Sequence, residues 1–248
     1  MSLPRFYCSE LKPIEGATLG AEVSLPEAAA HHAVRVLRLR EGDEVVLFNG
    51  CGQAWQGRIS AAGRSVSVTI SAALNSNTEA PLNITLVQAL PSGDKMDWVV
   101  QKAVELGVMR IQPIAAQRCV VKLSGERALK RVTHWQEVAV GACEQSGRNV
   151  VPQVLPILDL ARYLAQPSAA GDYRFLLAPG GGQRLREMAA PMIGVSLLIG
   201  PEGGFAPEEE AAAKGAGFSP LLLGPRILRT ETAGLAAIAA MMALWGDL

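Results

Sequence analysis

The sequence predicts an α/β protein in which a large C-terminal α/β domain follows a smaller β-rich domain. Apolar runs alternate with helix-forming segments throughout residues 82–248, which is typical of a parallel sheet with crossover helices. Within this part, residues 195–233 contain two successive units, each an apolar run, a glycine loop and a helix-forming segment. Short runs rich in β-branched residues before position 72 indicate a separate small β module.

The β module is predicted from its turn signals and from residue alternation. Four strands are expected, with an Asn49-Gly50 turn after the second of them and strict alternation in the last; they lie at 22–25, 44–50, 54–60 and 65–71. A helix over 26–39 begins with Pro26, a residue that is favoured in the first helical turn. The polar segment 73–81 ends in proline and is the predicted linker between the domains.

The elements of the α/β domain follow in chain order. Helical spacing of apolar residues predicts a helix at 95–106, ended by Gly107. A long amphipathic helix is expected at 129–148, and a connecting helix is expected before residue 195. The apolar runs predicted as strands include 83–90, 108–116, 195–199 and 220–223.

The two glycine loops are expected to form one ligand crevice. In parallel sheets ligands bind where loops leave the carboxyl ends of the strands. A phosphate-binding loop has a lysine, whereas these loops offer Glu202 and Glu231. The crevice therefore favours a ligand that carries positive charge or hydrogen-bond donors. An alternative is that Glu202 only caps amides of its own turn.

Composition excludes several classes of protein. Twenty-three lysines and arginines balance twenty-three aspartates and glutamates, so no global field favours nucleic acid or membrane. Four widely separated cysteines without a CxxC pair, and only three histidines, argue against a metal site and for a reduced, cytoplasmic protein. The N-terminus lacks the apolar core of a signal peptide, and the apolar stretch 233–245 is too short to span a bilayer.

Local clusters of positive charge are the exception to this balance. Six basic residues and a single acid occupy positions 110–131, and Arg35 and Arg38 share a helix face. Such clusters are either solvated faces or contacts for the phosphates of a nucleic acid. The predicted RNA contacts are Arg5, Arg35, Arg38, Arg118, Lys122 and Arg148.

Several motifs, in this order, closely resemble those of the ribosomal RNA small subunit methyltransferase E family, which belongs to the SPOUT class. They are ALPSGDKMDWVVQKAVELG, RCVVKLSGER, HWQEVAVGACEQSGRN, LLIGPEGGF and LGPRILRTETA. The resemblance covers essentially the whole chain. It implies a PUA-like RNA-binding β-barrel domain at 1–72, a linker at 73–81, and a SPOUT methyltransferase domain at 82–248 whose C-terminal part forms a trefoil knot.

The resemblance also implies a function. The family transfers a methyl group from S-adenosylmethionine to N3 of one uridine of 16S rRNA in the small ribosomal subunit, and it acts as a homodimer without a metal. Its cofactor site corresponds here to Leu198, Ile199, Gly200, Pro201, Glu202, Gly203, Leu223, Gly224, Ile227, Leu228, Arg229, Thr230, Thr232 and Ala233. This chain departs from many relatives in having Ser92 where they carry a lysine, which weakens one possible phosphate contact.

Three residues are the catalytic candidates. Because N3 of uracil is protonated at neutral pH, transfer needs a base and a group that stabilises the resulting anion. We expect Arg229 to orient the uracil carbonyls and Glu202 or Glu231 to be the base. Glu231 has an alternative role, since a carboxylate at the start of the last helix favours the helix dipole.

Two other functions fit the same sequence. One is a non-catalytic rRNA-binding or assembly factor whose glycine loops are only structural, and it would not bind S-adenosylmethionine. The other is a SPOUT 2′-O-ribose methyltransferase, whose product differs in the position of the methyl group.

Overall fold

The computed structural model describes residues 3–11, 19–63, 65–167, 171–177 and 181–248. The chain folds into two compact units. The N-terminal unit comprises Met1–Glu79 together with Cys143–Val151, and the C-terminal unit comprises Ala80–Ala142 and Pro152–Leu248.

The N-terminal unit is built on a five-stranded sheet in the order β1-β3-β4-β5-β2. The strand β1 pairs with β3 in parallel, and the other neighbours are antiparallel. The strands are β1 (Arg5–Tyr7), β2 (Glu22–Ser24), β3 (Glu44–Phe48), β4 (Ala54–Ala62) and β5 (Val66–Leu74).

The alternation of apolar and polar residues along β5 explains which of its side chains enter the core of this unit. Val66, Val68 and Ile70 are buried, because every second side chain of a strand points to the same face. The pairing of β4 with β5 contains two register shifts, and such bulges increase the local twist that curls a sheet. The predicted β module is therefore present as a curled sheet.

The helix predicted over 26–39 is shorter and less regular than expected. The α-helix α1 covers only Glu27–His31 and continues as a π-helical turn, His32–Val36. Arg38 then adopts a φ of 56°, a left-handed conformation that ends the helix. Ala33 is buried in this turn, whereas Arg35 and Arg38 are exposed.

The compact units differ in two places from the division predicted from sequence. The strand β5 extends to Leu74, so it includes the first two residues of the predicted linker. The segment Cys143–Val151 belongs to the N-terminal unit, where the amide of Gly52 donates to the carbonyl of Asn149 at 3.0 Å.

The C-terminal unit contains seven strands that pair in parallel, which confirms the predicted α/β class. The strand order is β12-β10-β11-β6-β7-β8, and β9 also pairs with β7. The strands are β6 (Ile84–Ala89), β7 (Arg110–Ala115), β8 (Gln153–Val154), β9 (Leu158–Asp159), β10 (Tyr173–Leu177), β11 (Val195–Ile199) and β12 (Ser219–Leu221). The helices are α2 (Lys95–Glu105), α3 (Gly125–Ser146), α4 (Leu160–Leu164), α5 (Pro207–Gly215) and α6 (Thr230–Trp245).

The strands β6 and β11 lie in the middle of the sheet, and their burial agrees with that position. Both are almost continuously apolar and buried, as expected for parallel strands that are covered on both faces. The connecting helix expected before β11 is absent from the described residues 181–194, which contain only a 3-10 turn, Leu185–Glu187. Pro191 and Gly194 in this segment disfavour a helix.

The described cysteines are all free thiols, and Cys8, Cys119 and Cys143 are buried. Burial raises the pKa of Cys8 and of Cys143 to about 12. No group of three or more metal-ligating side chains occurs within the described ranges. Across those same residues, no helix has both the length and the apolarity to cross a membrane.

Candidate functional site

A cavity of about 350 Å³ lies within the C-terminal unit, where loops leave the carboxyl ends of β10, β11 and β12. Its volume lies in the range typical of small-molecule sites. Eleven of the residues predicted to bind the cofactor line it: Ile199, Gly200, Pro201, Glu202, Leu223, Gly224, Ile227, Leu228, Arg229, Thr230 and Ala233.

Three predicted cofactor residues do not line the cavity. Leu198 is fully buried in β11, Gly203 follows the lining part of the first loop, and Thr232 is an exposed residue of α6. The cavity also has lining residues that the sequence did not single out, and these are Leu177, Gly204, Phe205, Glu210, Leu221, Leu222, Pro225 and Arg226.

The first loop is tied to the start of α6 through Thr230. The Thr230 hydroxyl donates to the carbonyl oxygen of Gly200 at 2.5 Å and accepts from the Gln88 side-chain amide at 3.0 Å. A side chain at Gly200 would crowd the Phe205 ring, because a Cβ there would lie 3.3 Å from it. Gln88 is fully buried, and its Oε1 has no hydrogen-bond partner among the described residues.

The second loop leads from β12 to α6 and is more open to solvent. Gly224 has a φ of 80°, and a Cβ there would meet no described atom within 4 Å, so backbone conformation rather than space favours glycine. Ile227 is 83% exposed although it lines the cavity. Arg229 directly precedes α6 and is also exposed. This part of the cavity wall is therefore accessible to a second ligand.

Four side chains beside the cavity form what we call the Lys95 cluster: Ser92, Lys95, Glu202 and Glu231. One oxygen of Glu202, Oε1, accepts from the Ser92 amide at 2.9 Å, from the Ser92 hydroxyl at 2.6 Å and from Lys95 Nζ at 3.1 Å. Lys95 Nζ also lies 3.5 Å from Oε1 of Glu231. The Lys95 cluster thus connects the loop after β6 with both glycine loops.

The two carboxylates of the Lys95 cluster have different surroundings. Burial alone would raise the pKa of Glu202, but hydrogen bonds from Ser92 and Lys95 outweigh it and lower that pKa to about 2. The hydrogen bond to Glu202 in turn raises the pKa of Lys95. Glu231 is 18% exposed at its side chain, and its Oε2 is buried without a hydrogen-bond partner in the described part of the chain. Glu202 is therefore a stable anion, whereas Glu231 keeps one buried oxygen to which no described group donates a hydrogen bond.

A second group of contacts holds the first loop from the side of β7. Arg118 donates to the carbonyl oxygen of Gly203 at 3.0 Å. The amide of Gln117 donates to Glu209 at 2.7 Å, and Glu209 also accepts from the amide of Ala206 at 2.9 Å. Arg118, which was predicted to contact RNA, thus also stabilises the first loop while remaining exposed.

Two of the predicted RNA contacts, Arg148 and Arg5, make intramolecular contacts in the structure. Arg148 is 3% exposed and donates twice to Glu79, at 2.9 and 2.7 Å. Arg5 donates to Asn149 Oδ1 at 2.6 Å and lies over the Phe48 ring. The side chains of Glu79, Arg148, Asn149 and Arg5 form what we call the Glu79 cluster. The Arg148 guanidinium is buried and paired with Glu79, so a phosphate contact by Arg148 requires that this pair breaks first.

The other four predicted RNA contacts remain available to a ligand. Arg35, Arg38, Arg118 and Lys122 are all exposed. Arg35 and Arg38 belong to the N-terminal unit, and Arg118 and Lys122 belong to the C-terminal unit.

The sequence did not identify the importance of Gln88, Ser92 and Lys95. These residues lie more than 100 positions from Glu202 and Thr230 in the chain. The strand order of the sheet brings these residues together. The strands β6 and β11 are parallel neighbours, so the loops that follow them leave the same edge of the sheet. The SGDKM loop was noted only for its resemblance, and spacing alone does not place it beside the glycine loops.

Comparison with known proteins gives consistent matches over the whole chain. Residues 78–242 match the model of the RNA methyltransferase domain family. Residues 25–71 match that of the RNA methyltransferase PUA domain.

Relatives of known sequence and structure are similar over nearly their full lengths. The chain is 31% identical to the ribosomal RNA small subunit methyltransferase E of Buchnera aphidicola subsp. Schizaphis graminum, over 99% of this chain and 98% of the relative. It is 34% identical to that of Bacillus subtilis, over 88% of each. The crystal structure of the Neisseria gonorrhoeae protein of that name, bound to S-adenosyl methionine, is 43% identical and covers 99% of each chain, with a TM-score of 0.92. A putative methyltransferase from Legionella pneumophila with bound cofactor SAM is 36% identical over 100% of each chain, also with a TM-score of 0.92.

Proposed function

The chain belongs to the ribosomal RNA small subunit methyltransferase E family, of the SPOUT class, and we propose that it methylates N3 of a specific uridine in 16S rRNA. The methyl donor in this proposal is S-adenosylmethionine, which supplies an electrophilic methyl group on a sulfonium. The observation that carries the proposal is the cavity at the carboxyl ends of the strands, which Glu202 lines and beside which Lys95 links Glu202 to Glu231.

The lining of the cavity fits such a cofactor. The cofactor carries a sulfonium and an ammonium, and the Glu202 carboxylate beside the cavity is held ionised. Its adenine needs amides, carbonyls and apolar contacts, which the backbone and leucines of the two loops can provide.

The surroundings of the two glutamates favour Glu231 over Glu202 as the base. Glu202 already accepts three hydrogen bonds at one oxygen, and its pKa is about 2. A carboxylate with so low a pKa removes a proton poorly. Glu231 has the buried Oε2 without a described partner, and this oxygen is the proposed acceptor of the N3 proton.

Arg229 is the proposed group that orients the uracil carbonyls. It lines the cavity, is exposed, and lies two residues before Glu231. Replacement by alanine should lower the single-turnover rate on small subunits and leave cofactor affinity within a few-fold. A wild-type rate for Arg229→Ala would exclude this role.

The RNA substrate is proposed to contact the exposed cations Arg35, Arg38, Arg118 and Lys122. Each unit carries two of these cations, and phosphate contacts of this kind provide most of the affinity of nucleic-acid binding. In this proposal the N-terminal unit is the PUA-like RNA-binding domain and the C-terminal unit is the methyltransferase domain.

We also propose the homodimer and the trefoil knot of the family. Large exposed apolar side chains at Trp98 and Leu244, on the mutually contacting helices α2 and α6, support a subunit interface. The trefoil knot is proposed from membership of the family. A monomer in sedimentation experiments would exclude the dimer.

The decisive experiment maps the product. The protein is incubated with S-adenosylmethionine and either small ribosomal subunits or naked 16S rRNA from cells that lack the modification, and the digested RNA is analysed by mass spectrometry. N3-methyluridine at one position is the expected result. Methylation of a ribose would instead identify a 2′-O-methyltransferase. Calorimetry with S-adenosylmethionine complements this mapping, because absence of binding would identify a non-catalytic RNA-binding protein.

A further inference from the structure

We propose that Lys95 is a catalytic residue that donates a hydrogen bond to a carbonyl oxygen of the target uracil and stabilises its N3 anion. The inference rests on the proposed function and adds a cationic residue outside the two glycine loops. It follows from the position of Lys95 between Glu202 and Glu231, from its place in α2, and from its unused donor capacity.

The stability of α2 does not explain a lysine at this position. Lys95 is the first residue of that helix, and a positive charge is unfavourable at a helix N-terminus because the helix dipole is positive there. Ion pairs that remain partly open to solvent contribute little to folding, and the Lys95 side chain is 32% exposed. A residue that opposes a local preference in this way is expected where function requires it.

The geometry leaves Lys95 able to bind a further acceptor. An ammonium group carries three N–H donors. Nζ lies 3.1 Å from Glu202 and 3.5 Å from Glu231, so two carboxylates occupy at most two of these donors. The third donor is available to O2 or O4 of a uracil placed beside the cavity and next to Glu231, which Lys95 also contacts. Lys95 and Glu231 would then contact the same imide group of the base.

The resulting step balances in protons and electrons. The N3–H bond of the uracil breaks and its proton passes to Oε2 of Glu231, while the negative charge spreads over N3, O2 and O4. The electron pair on N3 forms the bond to the methyl carbon, and the pair of the broken carbon–sulfur bond stays on sulfur. Lys95 stabilises the negative charge of the uracil before methyl transfer. Glu231 afterwards releases its proton to water.

The test compares Lys95→Met, Lys95→Arg and Ser92→Ala with the wild-type protein. Lys95→Met should lower the single-turnover rate by about 100-fold, and its rate should continue to rise to higher pH because the bound uracil ionises less readily. Lys95→Arg retains a cation and should recover most of this loss. Ser92→Ala removes a hydrogen bond to Glu202 and keeps the ammonium of Lys95, so it should lower the rate much less than Lys95→Met does.

A matched control comes from the same helix. Lys102 is also ion-paired with a glutamate on α2 and lies over the Trp98 ring, but it contacts neither Glu202 nor Glu231 in the described structure. Lys102→Met should therefore keep the wild-type rate and pH profile. Its thermal unfolding also measures how much the removal of an ion pair on α2 affects stability by itself.

Two further measurements separate chemistry from cofactor binding. The dissociation constant of S-adenosylmethionine, measured by calorimetry, should change by less than about threefold in Lys95→Met. Small subunits reconstituted with 5-fluorouridine-containing rRNA carry a more acidic N3, and they should restore activity to Lys95→Met more than to the wild type. Loss of cofactor affinity in parallel with the rate, or equal effects of Lys95→Met and Ser92→Ala, would overturn the proposal. Failure of the wild-type protein to form N3-methyluridine would instead overturn the proposed function.

Discussion

The Glu79 cluster and the Lys95 cluster both join carboxylates to cations, but they differ in burial and in hydrogen bonding. In the Glu79 cluster, Arg148 is 3% exposed, and both oxygens of Glu79 accept hydrogen bonds. In the Lys95 cluster, the side chains of Lys95 and Glu202 are 32% and 30% exposed, and one oxygen of Glu231 has no described partner.

The difference indicates what each cluster does. A buried pair whose carboxylate accepts hydrogen bonds at both oxygens is strongly destabilised when one partner is removed, because the other charge then remains buried. A partly exposed cluster with an unused acceptor contributes less to folding, and it can bind a ligand without first breaking its own bonds. We therefore propose that the Glu79 cluster stabilises the N-terminal unit and that the Lys95 cluster takes part in methyl transfer.

The largest effect is expected when the Glu79 cluster loses its charge balance. Glu79→Gln leaves the guanidinium of Arg148 buried without its carboxylate, and it should lower the free energy of unfolding by about 3–5 kcal/mol. Urea denaturation followed by circular dichroism measures this loss. The matched control is Glu44→Gln, which breaks an exposed pair with Arg58 in the same unit and should cost about 0–1 kcal/mol. Equal losses in the two variants would contradict the assignment of the Glu79 cluster.

The corresponding change in the Lys95 cluster should affect the ligand more than the fold. Glu202→Gln removes a negative charge beside the cavity and should weaken binding of S-adenosylmethionine about tenfold, which corresponds to about 1.4 kcal/mol. Calorimetry measures this affinity. Glu208→Gln, at an exposed position of α5 outside the cavity lining, is the control. If Glu202→Gln keeps wild-type affinity for S-adenosylmethionine and loses several kcal/mol of its free energy of unfolding, the proposed difference between the two clusters is wrong.

At low pH, Glu202 should lose its contribution to the free energy of unfolding. This effect should be smaller than the effects of the two preceding substitutions. Its pKa in the folded state is lowered from the ordinary value of 4.5 to about 2. The folded state therefore binds the proton less readily than the unfolded state, so the stabilisation is present above pH 4.5 and disappears as pH falls towards 2. After allowance for solvent screening we expect about 1 kcal/mol. The stability difference between the wild type and Glu202→Gln, measured by denaturation at pH 6 and at pH 3, should shrink; a constant difference would exclude this linkage.

The smallest effects are expected at the exposed arginines. Arg35→Gln or Arg38→Gln should weaken RNA binding a few-fold and reduce the slope of log affinity against log salt by about one for each phosphate that the variant no longer neutralises. Filter binding at several salt concentrations measures both quantities. Glu27→Gln, on the adjoining helix α1, is the control for the substitution itself. Unchanged salt slopes in both arginine variants would remove this surface from the proposed RNA footprint.

The α/β class could be predicted from local patterns in the sequence, and most of the cavity lining could be predicted from the resemblance to the family. Apolar runs bounded by glycine and proline identify β11 and the loop after it, and Gly224 indicates the left-handed turn of the second loop. These signals lie within a few residues of the backbone conformation that they determine.

The Lys95 cluster and the burial of Arg148 could not be predicted in the same way. Ser92 and Lys95 meet Glu202 only because β6 and β11 are adjacent in the sheet, and the sequence does not specify that strand order. Arg148 resembles a solvated helix-end residue in the sequence, yet Glu79, 69 positions earlier, binds and buries it. The knot and the dimer were predicted from the resemblance and stay predictions.

The most direct measurement is the single-turnover rate of methyl transfer by Glu231→Gln on small ribosomal subunits at saturating S-adenosylmethionine. Glutamine keeps the shape of the side chain and cannot accept the N3 proton, so we predict a loss of about 100-fold or more. A rate within threefold of the wild type would contradict the account, because Glu231 would then not be the base that accepts the N3 proton.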